Sequence, residues 1–408
     1  MRTFSQSVQP TTHPSPARRD AGVPDESERP LRIAVVLYNA KLTGARKKKI
    51  QLANGLASRG FSVELVFVRA KGPLLQAVSP AVRVVELEGR AIRWAIALRR
   101  ASSVGSGAAI PSLAAYLRRS APDVVMAGNN PACFLTEVAH RLARAPGTRS
   151  VLSITNHLSG SGNSGPATKR RVLQRVLGWA DALVAVGDDV ARDLEQTIPG
   201  IAARVHTIHN PIIPDDLDAL QAEPAPHPWF EDGGAPVVIS CGRLEAQKDF
   251  STLLRAFSLA REKTAARLVL IGDGRERDAL QDLAASLGIE RDVVFLGRIE
   301  NPFAAMARAD LFVLSSVWEG LPNVLVEAMA CGCAVVSTDA PGGARDVLRN
   351  GTLGPLTPPG DPHALAAAIL DVLAEPPDRA TLEARGREFS VAKSIDGYAD
   401  LFRTLVRS

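Results

Sequence analysis

Short runs of β-branched and aliphatic residues recur along the chain, with amphipathic stretches between them. The first, LRIAVVLY from Leu31, is short and uniformly apolar, which predicts a strand covered on both faces. After a turn around Gly44, residues 45–60 carry Ile50, Leu52, Ala53, Leu56 and Ala57 at helical spacing and stop at Gly60. SVELVFV reads as the next strand. Further apolar runs at Val82–Leu87, Asp123–Met126, Ser150–Ile154, Ala182–Val186 and Val205–Ile208 predict five more. The pattern breaks between Pro211 and Pro236, where prolines cluster with Gly233 and Gly234, as in an interdomain linker. It restarts with strands at Val237–Ser240, Leu268–Ile271, Val293–Leu296, Leu311–Leu314 and Ala334–Ser337. Helices are expected over 249–263, 275–287, 302–307 and 323–330 between them, and at about 361–374 and 378–407 after them.

Strand-helix alternation with apolar strands predicts an α/β fold of two Rossmann-like doubly wound domains facing across a cleft. The expected divisions are a disordered tail at 1–30, a first domain at 31–212, a linker at 213–236, a second domain at 237–390, and a helix at 391–408 crossing back to the first domain. Ligands in such sheets bind at the carboxyl ends of the strands, so the cleft is the expected site.

Composition narrows the class. Of 408 residues, 46% are apolar and 22% charged, as in a soluble globular enzyme. No apolar run approaches the roughly 18 residues of a membrane-spanning helix. Residues 1–30 are rich in Pro, Ser, Thr and charge and contain no secretory signal. Four cysteines form neither a disulfide framework nor a zinc-ligand spacing, so a reduced, cytoplasmic compartment is expected. The net charge of +5 hides an asymmetry: residues 31–210 have a net charge of +15 and residues 211–408 one of −10. The first half is therefore expected to meet something anionic.

Two stretches carry candidate chemistry. In SSVWEGLPNVLVEAMACGCAVVST, Glu319 lies in the loop after a strand, Asn323 stands where it caps a helix, and Glu327 lies one turn inside that helix. The free N–H groups of the helix start lie between the two carboxylates, an arrangement that suits a phosphate and sugar hydroxyls together. By spacing alone, two glutamates near a helix start also fit a plain dipole preference. In SCGRLEAQKDF, a strand runs into Gly242 and Arg243, with Lys248 in the turn before the next helix. A planar fork and a point charge at a strand end suit a diphosphate, and they also fit two surface cations.

Taken together, these stretches resemble retaining glycosyltransferases of family 4, which have the two-Rossmann-domain GT-B architecture. The resemblance covers nearly all of residues 31–408 and is most specific at 237–345. It extends to IGDGRERDALQDLAASLGIERDVVFLG, with its Gly272–Asp273–Gly274 turn and its strand end at Gly297. The resemblance implies that Glu327 binds the ribose of a donor nucleotide and Glu319 the hydroxyls of the transferred sugar. It implies that Asn323 and Val324 offer backbone N–H groups, and that the backbone at Arg298 and Ile299 meets the base. Gly242 would approach the donor, while Arg243 and Lys248 would neutralise the leaving diphosphate without a metal or other cofactor. His157, in LSITNHLSGSGNSG, stands where relatives have a histidine near the donor sugar. The first loop also approaches the donor, but relatives usually carry two adjacent glycines there, whereas here Gly44 follows Leu42 and Thr43.

The activity implied is transfer of a sugar from a nucleotide-sugar, UDP-sugar above all, to a glycan or lipid-linked acceptor of bacterial surface polysaccharide or glycolipid synthesis. Basic segments at Arg46–Lys49, RAIRWAIALRR and KRRVLQRVLGW mix cations with apolar residues, so the first domain is expected to rest on the inner, anionic membrane face. No recognition motif for nucleic acid accompanies this charge. Two rival readings stand beside this one: a UDP-sugar 2-epimerase-like GT-B enzyme, and a non-catalytic, membrane-associated partner that binds nucleotide-sugar.

Overall fold

The computed structural model describes residues 29–41, 44–87, 109–128, 130–155, 157–159 and 167–408. The tail over 1–28, the segment RAIRWAIALRR and the loop residues 160–165 lie outside the described residues.

Two all-parallel sheets organise the chain. The first is built from β1 (Arg32–Asn39), β2 (Ser62–Arg69), β3 (Arg83–Glu86), β4 (Val124–Ala127), β5 (Arg149–Ile154), β6 (Ala182–Ala185) and β7 (Val205–Thr207). Its strand order is β3-β2-β1-β4-β5-β6-β7. Among the described residues, helices α1 (Gly44–Ser58), α2 (Ile110–Ser120), α3 (Asn130–Ala143), α4 (Ala167–Leu177) and α5 (Asp188–Thr197) accompany it. A short helix, α6 (Leu217–Ala222), leads to the second sheet: β8 (Val237–Cys241), β9 (Arg267–Ile271), β10 (Val293–Gly297), β11 (Leu311–Leu314), β12 (Ala334–Thr338) and β13 (Leu356–Thr357). That sheet runs β10-β9-β8-β11-β12-β13. Its helices are α7 (Phe250–Arg261), α8 (Arg277–Ser286), α9 (Phe303–Met306), α10 (Asn323–Ala330), α11 (Ala344–Val347), α12 (Pro362–Ala374) and α13 (Arg379–Arg387); α14 (Val391–Arg407) follows and returns to the first sheet. Central strands such as β4 and β11 are buried at every residue, which is why their sequences are continuous rather than alternating apolar runs.

Several details depart from the sequence expectations, among them the short strand β13. The proline-rich linker is not structureless: α6 packs on α9, and Asn301 Nδ2 and Arg308 Nη1 donate to the carbonyls of Leu220 and Gln221 at 2.7 and 2.9 Å. The helix expected over 378–407 is two helices. Between them, the Phe389 carbonyl accepts from the N–H groups of Ile212 and Ile213, and the Val391 N–H donates to Ile213. The chain crosses between the sheets here, beside its first crossing, and backbone pairing with that segment interrupts the helical ladder. Another is α11, a short helix after β12 that periodicity does not show.

Beyond the second crossing, α14 lays Ile395, Tyr398 and Phe402 into the apolar core of the first sheet, beside Ile33, Val35, Leu56 and Val63. Lys49, almost wholly buried, donates to Ser153 Oγ at 2.9 Å and to Tyr398 Oη at 3.2 Å, tying α1, β5 and α14 together. Phe402→Ala is therefore expected to cost about 3–5 kcal/mol by leaving a core cavity. Urea unfolding followed by tryptophan fluorescence measures it; a cost near zero would reject α14 as part of this core.

Candidate functional site

Strand order reverses between β1 and β4 in the first sheet and between β8 and β11 in the second. At such a reversal, the connections leave in opposite directions and a crevice forms at the carboxyl ends. In the second sheet, the two sequence motifs follow β8 and β11, so each flanks this switch point.

After β8, the Gly242 N–H donates to Ile271 at 2.9 Å, and the Lys248 side chain passes over Gly242. Lys248 reaches the next strand's loop. Its Nζ pairs with Glu319 Oε1, which also accepts from Ser316 Oγ at 2.7 Å. Only 15% of the Lys248 side chain and 9% of the Glu319 side chain are exposed, so this pair is largely withdrawn from water. The backbone follows the pair: Ser315 Oγ donates to the Lys248 carbonyl at 2.8 Å, and the Val317 N–H to the Gln247 carbonyl at 2.9 Å. Arg243 is exposed, held by Glu245 at 2.7 Å. It keeps most of its donors free for an incoming anion.

The turns around this pair need glycine. Gly272 has φ 137°, and a Cβ there would stand 1.8 Å from the Gly242 carbonyl oxygen. Gly342 has φ 131°, with the Glu319 carbonyl oxygen 2.4 Å from the same point. The DAPGGARD stretch thus packs directly on the backbone of the Glu319 loop.

Helix α10 begins beside Glu319, with one correction to the capping expected of Asn323. Pro322 occupies the cap position, and Asn323 is the first helical residue; its buried Oδ1 has no hydrogen-bond partner. Val324 follows in the first turn, half-buried. Glu327 faces a cation that sequence reasoning assigned to a lipid surface. Burial raises the Glu327 carboxyl above its ordinary range, while Lys48, Lys47 and Lys248 oppose the rise. Lys48 comes from α1 at the first sheet's switch point, and its Nζ donates to the Pro211 carbonyl at 3.2 Å. Burial lowers the Lys48 ammonium to about 8, against the pull of Glu327. Of the Arg46–Lys49 run, therefore, Lys48 and Lys49 turn inward. For Lys49 the helical register carries a signal, since it shares the buried face of α1 with Leu52, Ala53 and Leu56; for Lys48 it carries none.

The remaining candidates stand apart. Arg298 is exposed just past the end of β10, two strands from β8. Gly44 opens α1 with open space at its Cβ position. His157 follows β5, half-buried, with Nε2 unpartnered and Asp189 near enough to be influenced by its charge. Asp193 holds the turn after it, accepting from Ser159 Oγ and from the N–H groups of Leu158 and Ser159.

The glycosyl transferases group 1 sequence model matches residues 223–389, and a glycosyl transferase 4-like domain model matches residues 43–211. One relative is the Campylobacter jejuni N-acetylgalactosamine-N,N'-diacetylbacillosaminyl-diphospho-undecaprenol 4-alpha-N-acetylgalactosaminyltransferase. It is 35% identical over 159 residues, 39% of this chain and 42% of the relative. Another is the lipopolysaccharide core biosynthesis glycosyltransferase LpsE of Rhizobium meliloti, 37% identical over 175 residues, 43% of this chain and 50% of the relative. The matches thus span half or less of these relatives. Among solved structures, HepE of Anabaena in complex with UDP superposes with a TM-score of 0.74 at 21% identity, over 92% of this chain and 100% of that one. At that identity, the likeness shows the GT-B fold.

The half-buried Lys48 has a measurable signature. Its ammonium ionises near 8 when folded and near 10.5 otherwise, so folding releases a proton between those values. Stability rises with pH where the unfolded chain binds more protons. The wild type should therefore gain about 2 kcal/mol on Lys48→Met between pH 7 and pH 10.5, a figure discounted from the full shift for partial solvent access. Urea titrations at both pH values measure the difference, and a pH-independent difference would reject the burial of this charge.

Proposed function

The chain belongs to the glycosyl transferases group 1 family, with a 4-like first domain, and on that premise we propose that it is a retaining, metal-independent glycosyltransferase. It transfers a sugar from a nucleotide-sugar, which we read as a UDP-sugar, to a glycan or lipid-linked acceptor in surface polysaccharide or glycolipid synthesis. The observation that carries this reading is the Lys248–Glu319 pair at the second sheet's switch point, flanked by exposed Arg243 and by Glu327 one helix turn away. Support for the acceptor class comes from relatives that act in lipopolysaccharide core biosynthesis and on a diphospho-undecaprenol.

On this reading, the diphosphate lies against Arg243, Lys248 and the N–H groups at the start of α10, with Glu327 on the ribose hydroxyls. Glu319 holds hydroxyls of the sugar. As the bond between the anomeric carbon and the diphosphate oxygen breaks, its electron pair passes to that oxygen. Lys248 and Arg243 neutralise the charge that builds there. The acceptor hydroxyl attacks from the same face and gives its proton to the departing oxygen, so the configuration is retained. Neither glutamate acts as a nucleophile.

A membrane contact suits the first sheet's outer side. Helices α3 and α4 pack side by side. They and the turn after α4 expose Phe134, Leu142, Val172 and Trp179, four of the six large apolar side chains exposed among the described residues. Arg141 stacks on Trp179 at 5.5 Å, and Arg144, Arg171 and Arg175 are exposed around the patch. The one acid in these two helices, Glu137, is fully buried. Apolar anchors ringed by arginines fit an anionic lipid surface. Among the described residues, no helix is long and apolar enough to cross a membrane.

Binding, turnover and flotation experiments test this reading. Arg243→Ala, at an exposed position, should leave stability unchanged and weaken UDP binding about 10-fold or more, by loss of a charge-assisted hydrogen bond. Glu327→Ala should weaken UDP but not inorganic diphosphate, and turnover should persist in chelator. Calorimetry showing no nucleotide binding by the wild type would sink the donor-site reading, and turnover without an acceptor would favour an epimerase. In flotation assays, phosphatidylglycerol-containing vesicles should capture the wild type at low salt, whereas pure phosphatidylcholine vesicles should not. Loss of capture in Trp179→Ser with Val172→Ser is expected; capture indifferent to lipid charge, salt and these substitutions would dismiss the membrane face.

A further inference from the structure

Helix α5 starts without a cap of its own. Gly187 stands at the cap position in extended backbone, and no side chain of the helix's own segment meets the free N–H groups there. Such groups need a partner, and an anion is the best one. The partner comes from the other sheet. Asp346 Oδ2 accepts from the Asp189 N–H at 2.8 Å, the second residue of the helix. Asp346 Oδ1 accepts from Arg192 Nη2, one turn further on, at 3.0 Å. Arg192 also pairs with the Asp189 carboxylate, which lies close to Asp346 and would otherwise repel it. Both oxygens of one carboxylate are thus committed to a helix of the opposite half.

Asp346 is also coupled to the Glu319 loop. It sits in α11, directly after the Pro341–Gly342–Gly343 turn. The Glu319 N–H donates to the Pro341 carbonyl at 3.0 Å, and the Gly343 N–H to the Gly320 carbonyl at 2.7 Å. Gly342 has no room for a Cβ against the Glu319 carbonyl. Leu321 fills the space between the halves, with its Cδ1 3.8 Å from the Cβ position of Gly187 and 3.0 Å from that of Gly343. Behind α11, Arg385 donates to the Asp346 and Val347 carbonyls at 2.8 and 3.1 Å. The Glu319 loop, α11 and Asp346 therefore move as one piece, and Asp346 fastens that piece to α5.

We propose that Asp346 is a positioning residue: by capping α5 from across the junction, with Arg192 as its clamp, it sets the placement of the Glu319 loop against the first half. Glu319 then holds the transferred sugar in register with an acceptor bound on the first sheet. The kinetic part of this proposal rests on the transferase reading; the geometric part does not.

The test uses the full chain with Asp346→Ala, Asp346→Asn and Arg192→Ala, and three readouts. The first is kcat and donor KM with a nucleotide-sugar and acceptor. The second is UDP affinity by calorimetry. The third is the distance between fluorophores placed on α2 and α12, read by energy transfer. Asp346→Ala should lower kcat about 5- to 20-fold, leave UDP affinity within about 2-fold, and broaden the distance distribution. Arg192→Ala should act in the same direction more weakly. Asparagine keeps one acceptor oxygen for the Asp189 N–H but turns a donor NH2 toward Arg192, so Asp346→Asn should recover part of the rate and of the narrow distance distribution. Unchanged kcat and distances in Asp346→Ala would overturn the proposal. So would a parallel fall in kcat, UDP affinity and thermal stability, which marks a scaffold residue, or an Asp346→Asn variant as impaired as the alanine. The distance measurement decides the clasp even for a protein that turns over no nucleotide-sugar, so failure of the transferase reading is told apart from failure of this one.

Discussion

A lysine and a glutamate, drawn out of water at the carboxyl ends of two neighbouring strands, set the terms for the second half of this protein. Taking both Lys248 and Glu319 from solvent is costly unless each keeps a partner, and the mutual pair with Ser316 supplies one. The surrounding backbone is shaped to bring them together. Gly272 lies on Gly242, Gly342 lies on Glu319, and the Ser315 hydroxyl and the Val317 N–H tie the two loops by donating to the Lys248 and Gln247 carbonyls. A pair so held is ready to exchange partners. On the proposed transferase reading, an anion at Lys248 takes over the role of Glu319, and the freed carboxylate then faces hydroxyls. The same economy appears at Glu327, whose raised proton affinity is balanced by lysines from two directions.

The two halves meet through three different kinds of contact. Backbone pairing at Ile212, Ile213 and Phe389 makes a double crossing, in which the outgoing and returning segments brace each other. An apolar cluster runs from Val186 and Val190 through Ile213 to Leu321, Leu325 and Met329. Polar contacts complete the junction, with Lys48 set against Glu327 and Asp346 on the start of α5. Apolar contacts and paired backbone tolerate small rotations, whereas a carboxylate on two donors has one good geometry. The polar contacts are thus the ones able to set a precise relation between the halves.

The charge asymmetry of the chain gains meaning from where the charges lie. On α3 and α4, the arginines border exposed Trp179, Val172 and Leu142, with no exposed acid among them. On α1, the lysines turn toward Glu327 and the first sheet's core. One compositional excess therefore lies in two places, an exposed patch and the face toward Glu327, which composition alone treats as one.

Most strands, and the placing of the second half's charged motifs at strand ends, were legible from the residues alone. Parallel strands buried on both faces must be continuous apolar runs, and Gly242, Arg243, Lys248, Glu319 and Glu327 lie within a few residues of strand ends. Local sequence therefore places them at one sheet edge before any packing is known. What stayed hidden depends on partners distant in the chain. The break between α13 and α14 exists because Phe389 pairs with Ile212 and Ile213, about 175 residues earlier in the sequence. Pro322 displaced Asn323 from the cap because the turn from Glu319 enters α10 one residue earlier than propensity suggests. Lys48 reads as a surface cation until the fold sets Glu327 and Pro211 against it, and nothing in the local sequence marks Asp346 until α5 arrives without a cap. Periodicity reports which face of an element is apolar; only the packed chain decides which charges from opposite halves must share the same few ångströms.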